Sequence, residues 1–154
     1  MTVINIRYIS IEGNTRSFMQ HLIDYAKEQH AKNPTRPLIV TKEVSEQTDF
    51  TDETDPYFAF VPTYLDGGNG IDNGVKELMT NVLGEYIAYH DNRKHCLGVI
   101  GSGNRNFNEQ YCLTAKRYAE NYGFPFLADY ELRGTSRDIT RIYDLMADKI
   151  KVTH

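Results

Sequence analysis

The sequence predicts a three-layer α/β fold, a five-stranded parallel sheet of order 2-1-3-4-5 with helices on both faces. Three observations lead there. Short β-branched or aromatic runs alternate along the chain with longer stretches of helical periodicity, the pattern of βαβ units. One run, Tyr57–Pro62, is apolar almost throughout, as a strand covered on both faces must be. Right-handed crossovers then place helices on both sides of the sheet, and 2-1-3-4-5 is a common five-strand order.

Residues 3–9 alternate β-branched residues with others and read as the first strand. Residues 15–31 read as a helix with Phe18, Leu22, Ile23 and Ala26 on one stripe. Asn33-Pro34 ends it. Residues 38–44 form a second strand, partly polar and so expected at a sheet edge. Residues 45–55 are acidic and turn-rich, a loop whose Asp49, Asp52, Glu53 and Asp55 read as solvated. Tyr57–Pro62 is the third strand, followed by a loop over 63–74 with four glycines. Residues 75–83 are expected to be helical, with Val75, Leu78, Met79 and Val82 inward, and 84–93 to include a second short helix. Residues 96–101 form the fourth strand and 102–108 a polar loop. A helix over 109–122 is closed by Gly123 and Pro125. The fifth strand covers 126–132. Gly134-Thr135 turns into a last helix over 138–151, with Ile139, Ile142, Tyr143, Met146 and Ile150 buried.

A chain of 154 residues fits one domain and is long enough to build its core without disulfide or metal staples. A net charge of −4 argues against a general nucleic-acid binder. No run is long and apolar enough for a membrane span, and the first residues carry no secretory pattern. Cys96 and Cys112 have no CxxC spacing and read as reduced core thiols of a cytoplasmic protein. His21, His30, His90, His95 and His154 lie too far apart in sequence to suggest a metal site. Tyr111, Tyr118 and Tyr122, at helical spacing, read as packing.

In a sheet of this order ligands bind beyond the carboxyl ends of the strands, at the switch between the first and third. Three loops leave that end. The first, Ser10, Ile11, Glu12, Gly13, Asn14 and Thr15, opens a helix; it reads either as a phosphate cradle of backbone N–H groups and small polar side chains, or as a plain helix cap by Asn14 or Thr15. It is neither a GxxxxGK[ST] nor a GxGxxG loop. In the second, Thr63, Tyr64, Leu65, Asp66, Gly67, Gly68, Asn69 and Gly70, paired glycines let a flat ligand approach the backbone, unless this is an ordinary surface loop. The third, 101–108, sets Phe107 among small polar residues. That suits a planar heterocycle, or else Phe107 starts the next helix with its ring in the core.

Together these loops resemble flavodoxins, and more closely the NrdI family, the flavodoxin-like activating proteins of class Ib ribonucleotide reductase. The most specific stretches are Gly101-Ser102-Gly103-Asn104-Arg105-Asn106-Phe107 and Glu131-Leu132-Arg133-Gly134-Thr135, with Val61-Pro62-Thr63-Tyr64 also matching. The resemblance spans nearly the whole chain and implies a single flavodoxin-like domain over 1–154 that binds FMN. Its phosphate would lie in Ser10, Ile11, Glu12, Gly13, Asn14 and Thr15. The isoalloxazine would lie between Pro62, Thr63, Tyr64, Asp66, Gly67 and Gly68 on one side and Ser102, Gly103, Asn104, Phe107 and Asn108 on the other. The implied activity is reduction of oxygen to superoxide or peroxide, delivered to the dimanganese site of the radical-bearing small subunit for tyrosyl radical assembly. The manganese belongs to that partner, and an unidentified donor supplies the electrons. Two departures stand out. Glu12 occupies a position of the phosphate loop where flavodoxins carry a hydroxyl, and the chain has no tryptophan for stacking.

The competing readings on the same fold are an NAD(P)H-dependent flavin or quinone reductase and a general electron-transfer flavodoxin. A receiver-type signalling domain needs an aspartate at the end of the third strand, where Pro62-Thr63 stands. No side chain in the three loops is an evident general acid or base, since Arg105 is fixed in charge and Asp66 is expected to be solvated. Any chemistry therefore falls to the cofactor, with the protein as its accessory.

Overall fold

A computed structural model describes residues 3–9, 13–45, 47–62, 82–103, 113–131 and 134–153. The strands are β1 (Val3–Tyr8), β2 (Leu38–Glu43), β3 (Tyr57–Pro62), β4 (Cys96–Gly103) and β5 (Phe126–Glu131). The helices are α1 (Asn14–Lys32), α2 (Val82–Ala88), α3 (Asn92–His95), α4 (Leu113–Tyr122) and α5 (Ser136–Thr153). The five strands form one sheet of order β2-β1-β3-β4-β5, every pair parallel. The half-polar β2 lies at the edge, as its composition requires. Among the described residues no helix is long and apolar enough to cross a membrane.

The all-apolar β3 is buried at every position because its alternate side chains enter two different cores. Phe58 and Phe60 join Ile4, Ile6, Phe18, Leu22, Ile142 and Met146 under α1 and α5. Tyr57, Ala59 and Val61 join Leu83, Tyr86, Ile87, Val99 and Ala115 under α2 and α4. The α5 stripe Ile139, Ile142, Tyr143, Met146 and Ile150 is buried as its periodicity predicts. On α1, Met19 is buried beside Phe18, Leu22 and Ala26, and Ile23 lies at the margin of that core.

Several boundaries differ from the sequence expectation for identifiable reasons. β4 runs two residues further than predicted because Ser102 and Gly103 pair with Tyr130 and Glu131 of β5. α2 (Val82–Ala88) falls largely within the stretch expected to include a second short helix and continues through Gly84, whose missing Cβ lets the Tyr118 and Tyr122 hydroxyls approach to 3.1 Å of where it would stand. α5 starts at Ser136 rather than at Asp138, because Thr135 and Asp138 cap it reciprocally. The expected inward residues Val75, Leu78 and Met79, together with Tyr111 and Cys112, lie outside the described residues.

The clearest correction concerns the acidic segment between β2 and β3. Glu53 is not solvated: its side chain is 6% exposed and makes two bonds to Arg7 of β1, Nε to Oε2 at 2.6 Å and Nη2 to Oε1 at 3.0 Å. Tyr86 of α2 donates its hydroxyl to the same carboxylate. The Glu53 N–H donates to Asn92 Oδ1 at 2.7 Å, and Asn92 Nδ2 donates to the carbonyls of Thr51 and Tyr86. A buried carboxylate is tolerable only with its charge compensated and its lone pairs filled, and these partners do both.

Candidate functional site

β1, β3 and β4 are adjacent and parallel, so the segments that follow them leave the sheet at one end. The first of these turns into α1 through Gly13, which takes φ +83°, a conformation that carries no Cβ penalty for glycine. Gly13 occupies the cap position and, being glycine, brings no capping side chain of its own. Asn14 and Thr15 are thus the first helical residues, and Gly13 holds the cap position in place of either. A helix start leaves its first N–H groups without intrahelical acceptors. Only from Ser17, which donates to Gly13 O at 2.9 Å, does the helical ladder begin.

Thr15 adds a second donor. The residue is 1% exposed, and its hydroxyl has no hydrogen-bond partner. An unpaired buried hydroxyl is costly, and here it lies in the first turn of the helix, beside the N–H groups that precede the intrahelical ladder. The helix dipole adds positive potential there, and the first turn contains no acidic residue.

Arg16, the next residue, forms a two-pronged pair with Glu43 at the end of β2: Nε to Oε1 and Nη2 to Oε2, both 3.0 Å. Arg16, through its hydrogen bond, holds the Glu43 carboxyl below its ordinary range. Tyr8, the last residue of β1, pairs in register with Glu43, and burial followed by the Glu43 charge pushes its phenol up. Sequence reasoning missed Glu43 and Tyr8, because only the β1–β2 register brings them beside α1.

At the neighbouring strand ends, Pro62 closes β3 and pairs with Ser102 of β4. Ser102 is buried, and Gly103 is the last residue of β4. The structure therefore brings Gly13, Asn14, Thr15, Pro62, Ser102 and Gly103 to one end of three adjacent strands. Ser10, Ile11, Glu12, Thr63, Tyr64, Asp66, Gly67, Gly68, Asn104, Phe107 and Asn108 lie outside the described residues.

The family model described as NrdI flavodoxin-like matches residues 6–144. The chain belongs to the NrdI flavodoxin-like family. NrdI-like proteins of Streptococcus pneumoniae and Streptococcus pyogenes are 48% and 50% identical to it, over 96% and 97% of this chain and 95% and 96% of theirs. Protein NrdI of Bartonella tribocorum is 37% identical over 87% of this chain and 86% of its own. Membership makes the protein an FMN flavoprotein linked to ribonucleotide reductase.

Solved structures agree on the fold. A short-chain flavodoxin associated with a bacterial microcompartment superposes with a TM-score of 0.68 at 19% identity, each chain fully covered. Two-electron reduced Megasphaera elsdenii flavodoxin superposes with a TM-score of 0.58 at 15% identity, over 97% of this chain and 99% of its own. Against that background of flavin chemistry, the buried thiol of Cys96 is inert: burial pushes its pKa up to about 12, far from the thiolate form.

Proposed function

We propose that FMN lies at the carboxyl end of the sheet and that the protein uses it to reduce molecular oxygen to superoxide or peroxide. The oxidant passes to the dimanganese site of the radical-bearing small subunit of a class Ib ribonucleotide reductase, where a tyrosyl radical is assembled. The observation that carries this reading is the first turn of α1, opened by Gly13 and holding a Thr15 hydroxyl with no partner among the described residues. That buried hydroxyl stands at a helix N-terminus, and a phosphate fits it in charge and in hydrogen-bonding sense.

In this reading the backbone of Ser10, Ile11, Glu12, Gly13, Asn14 and Thr15 holds the phosphate, with the Glu12 carboxylate turned away from it. Pro62, Thr63, Tyr64, Asp66, Gly67 and Gly68 line one side of the ring system. Ser102, Gly103, Asn104, Phe107 and Asn108 line the other, Ser102 and Asn104 addressing its polar edge. Bound FMN supplies the electron transfer to oxygen. The chain's own residues bind it, orient it and leave one edge open to oxygen and to the partner.

The test combines dimanganese-loaded small subunit, the reduced protein and oxygen, with the tyrosyl radical read by electron paramagnetic resonance. Radical well above a control lacking this protein is expected. No radical, together with rapid turnover of a quinone by NADPH, would replace this reading with that of a flavin reductase.

A further inference from the structure

Arg16 is the third residue of α1, and helical side chains tilt toward the helix N-terminus, so it leans toward the turn that holds Thr15. Its side chain is 62% exposed, so its position is set by a partner and not by packing. Glu43 engages it through both carboxylate oxygens, with the Tyr8 hydroxyl alongside. The other cations at the ends of β1 and β2 are committed elsewhere. Arg7 is bonded to Glu53, and Lys42 lies 5.0 Å above the Tyr86 ring. Both of those partners belong to the α2 side of the sheet, away from α1. Beside the turn, among the described residues, sits a balanced pair, a guanidinium and a carboxylate that Arg16 itself keeps ionised.

We propose that Arg16 is a specificity-determining residue for the phosphorylated flavin, and that Glu43 positions it and limits its pull on the phosphate. The proposal rests on the reading that places the flavin phosphate at the first turn of α1. A phosphate dianion there feels each member of the pair at close range. Without Arg16 the Glu43 carboxylate repels the dianion with less compensation; without Glu43 more of the Arg16 charge becomes available to it. Riboflavin carries the same ring and ribityl chain without the phosphate and feels neither change.

The experiment measures dissociation constants of FMN and riboflavin for the full-length apoprotein, for Arg16→Gln and for Glu43→Gln. The ratio of the two constants within one protein cancels any general loss of folded material. Arg16→Gln should reduce the preference for FMN by about tenfold, the scale of a lost charge-assisted hydrogen bond. Glu43→Gln should raise that preference, and the gain should shrink as salt is added. Riboflavin affinity should stay level in both. Equal weakening of both ligands by Arg16→Gln would reduce the pair to a structural brace, and an unchanged ratio in both variants would also overturn the proposal. Failure of the unaltered protein to prefer FMN over riboflavin would instead remove the phosphate site itself, and with it the reading on which the proposal rests.

Discussion

The Thr15 hydroxyl sets two requirements against each other. Burying it without a partner destabilises the ligand-free fold by about 1 kcal/mol or more, yet the same group is a ready donor to an anion. Thr15→Val keeps the shape and removes the hydroxyl, so its two effects should have opposite signs. The ligand-free protein should melt at an equal or higher temperature, while FMN affinity should fall about tenfold, the loss of one hydrogen bond to a charged acceptor. A thermal melt of the apoprotein and a fluorescence titration with FMN measure the two. A fall in both would show that the hydroxyl has a structural partner in the unliganded fold. From the sequence, Thr15 is legible as one of several small polar residues after a strand. Its burial is not, nor is the cap position of Gly13, because both depend on how α1 docks on the sheet, where the Phe18 ring stacks on Tyr130 of β5 with centroids 3.9 Å apart. Glu53 shows the same limit. Within an acidic stretch it reads as solvated, and only Arg7, 46 positions earlier, gives it a reason to be buried.

Elements were most legible where one periodicity governs them. The apolar run of β3 and the stripe of α5 needed nothing beyond local pattern, and both occur where that pattern puts them. The end of β4 needed the length of β5, and the start of α5 needed its cap. At that cap Thr135 N–H donates to Asp138 Oδ2 at 2.9 Å, Asp138 N–H donates to Thr135 Oγ1 at 3.3 Å, and Arg141 reaches Asp138 Oδ1 at 2.8 Å. Burial, the largest single influence, works against the Asp138 carboxylate, but the Arg141 and Thr135 hydrogen bonds together outweigh it and lower its pKa. A carboxyl with a folded pKa below its unfolded value of about 3.9 stabilises the fold above that value. The contribution is lost as pH falls through the lower, folded value. Asp138→Asn should therefore cost about 1 kcal/mol at pH 7, the scale of a helix cap, and the difference from the unaltered protein should narrow on acidification below about pH 4. Urea unfolding of both proteins across that range measures it. A difference that stays constant with pH would assign the cap's value to geometry alone, without the charge.

At the scale of the molecule, the loops after β1, β3 and β4 leave one edge of a sheet whose two faces are sealed by separate cores. The two cores hold the strands in register through side-chain packing on both faces of the sheet. In the proposed site FMN would bridge segments far apart in sequence, the start of α1 and the strand ends at Pro62 and Gly103, whose relative positions exist only in the folded chain. FMN should accordingly bind the native state and not the unfolded one, and stabilise the protein by mass action. At one hundred times its dissociation constant the gain is about 2.7 kcal/mol. For a domain of 154 residues that corresponds to a rise in Tm of roughly 5–10 °C. The rise should continue with the logarithm of free FMN after the site is saturated, because linkage depends on ligand activity and not only on occupancy. Scanning calorimetry of the apoprotein over a hundredfold range of FMN checks both the size and the logarithmic form. A Tm that does not move with FMN would mean that the three strand ends do not converge on one flavin, and it would remove the basis for the redox role. A rise that stops at stoichiometric FMN would mean that the flavin leaves the chain only after unfolding, with melting then limited by rate and not by equilibrium.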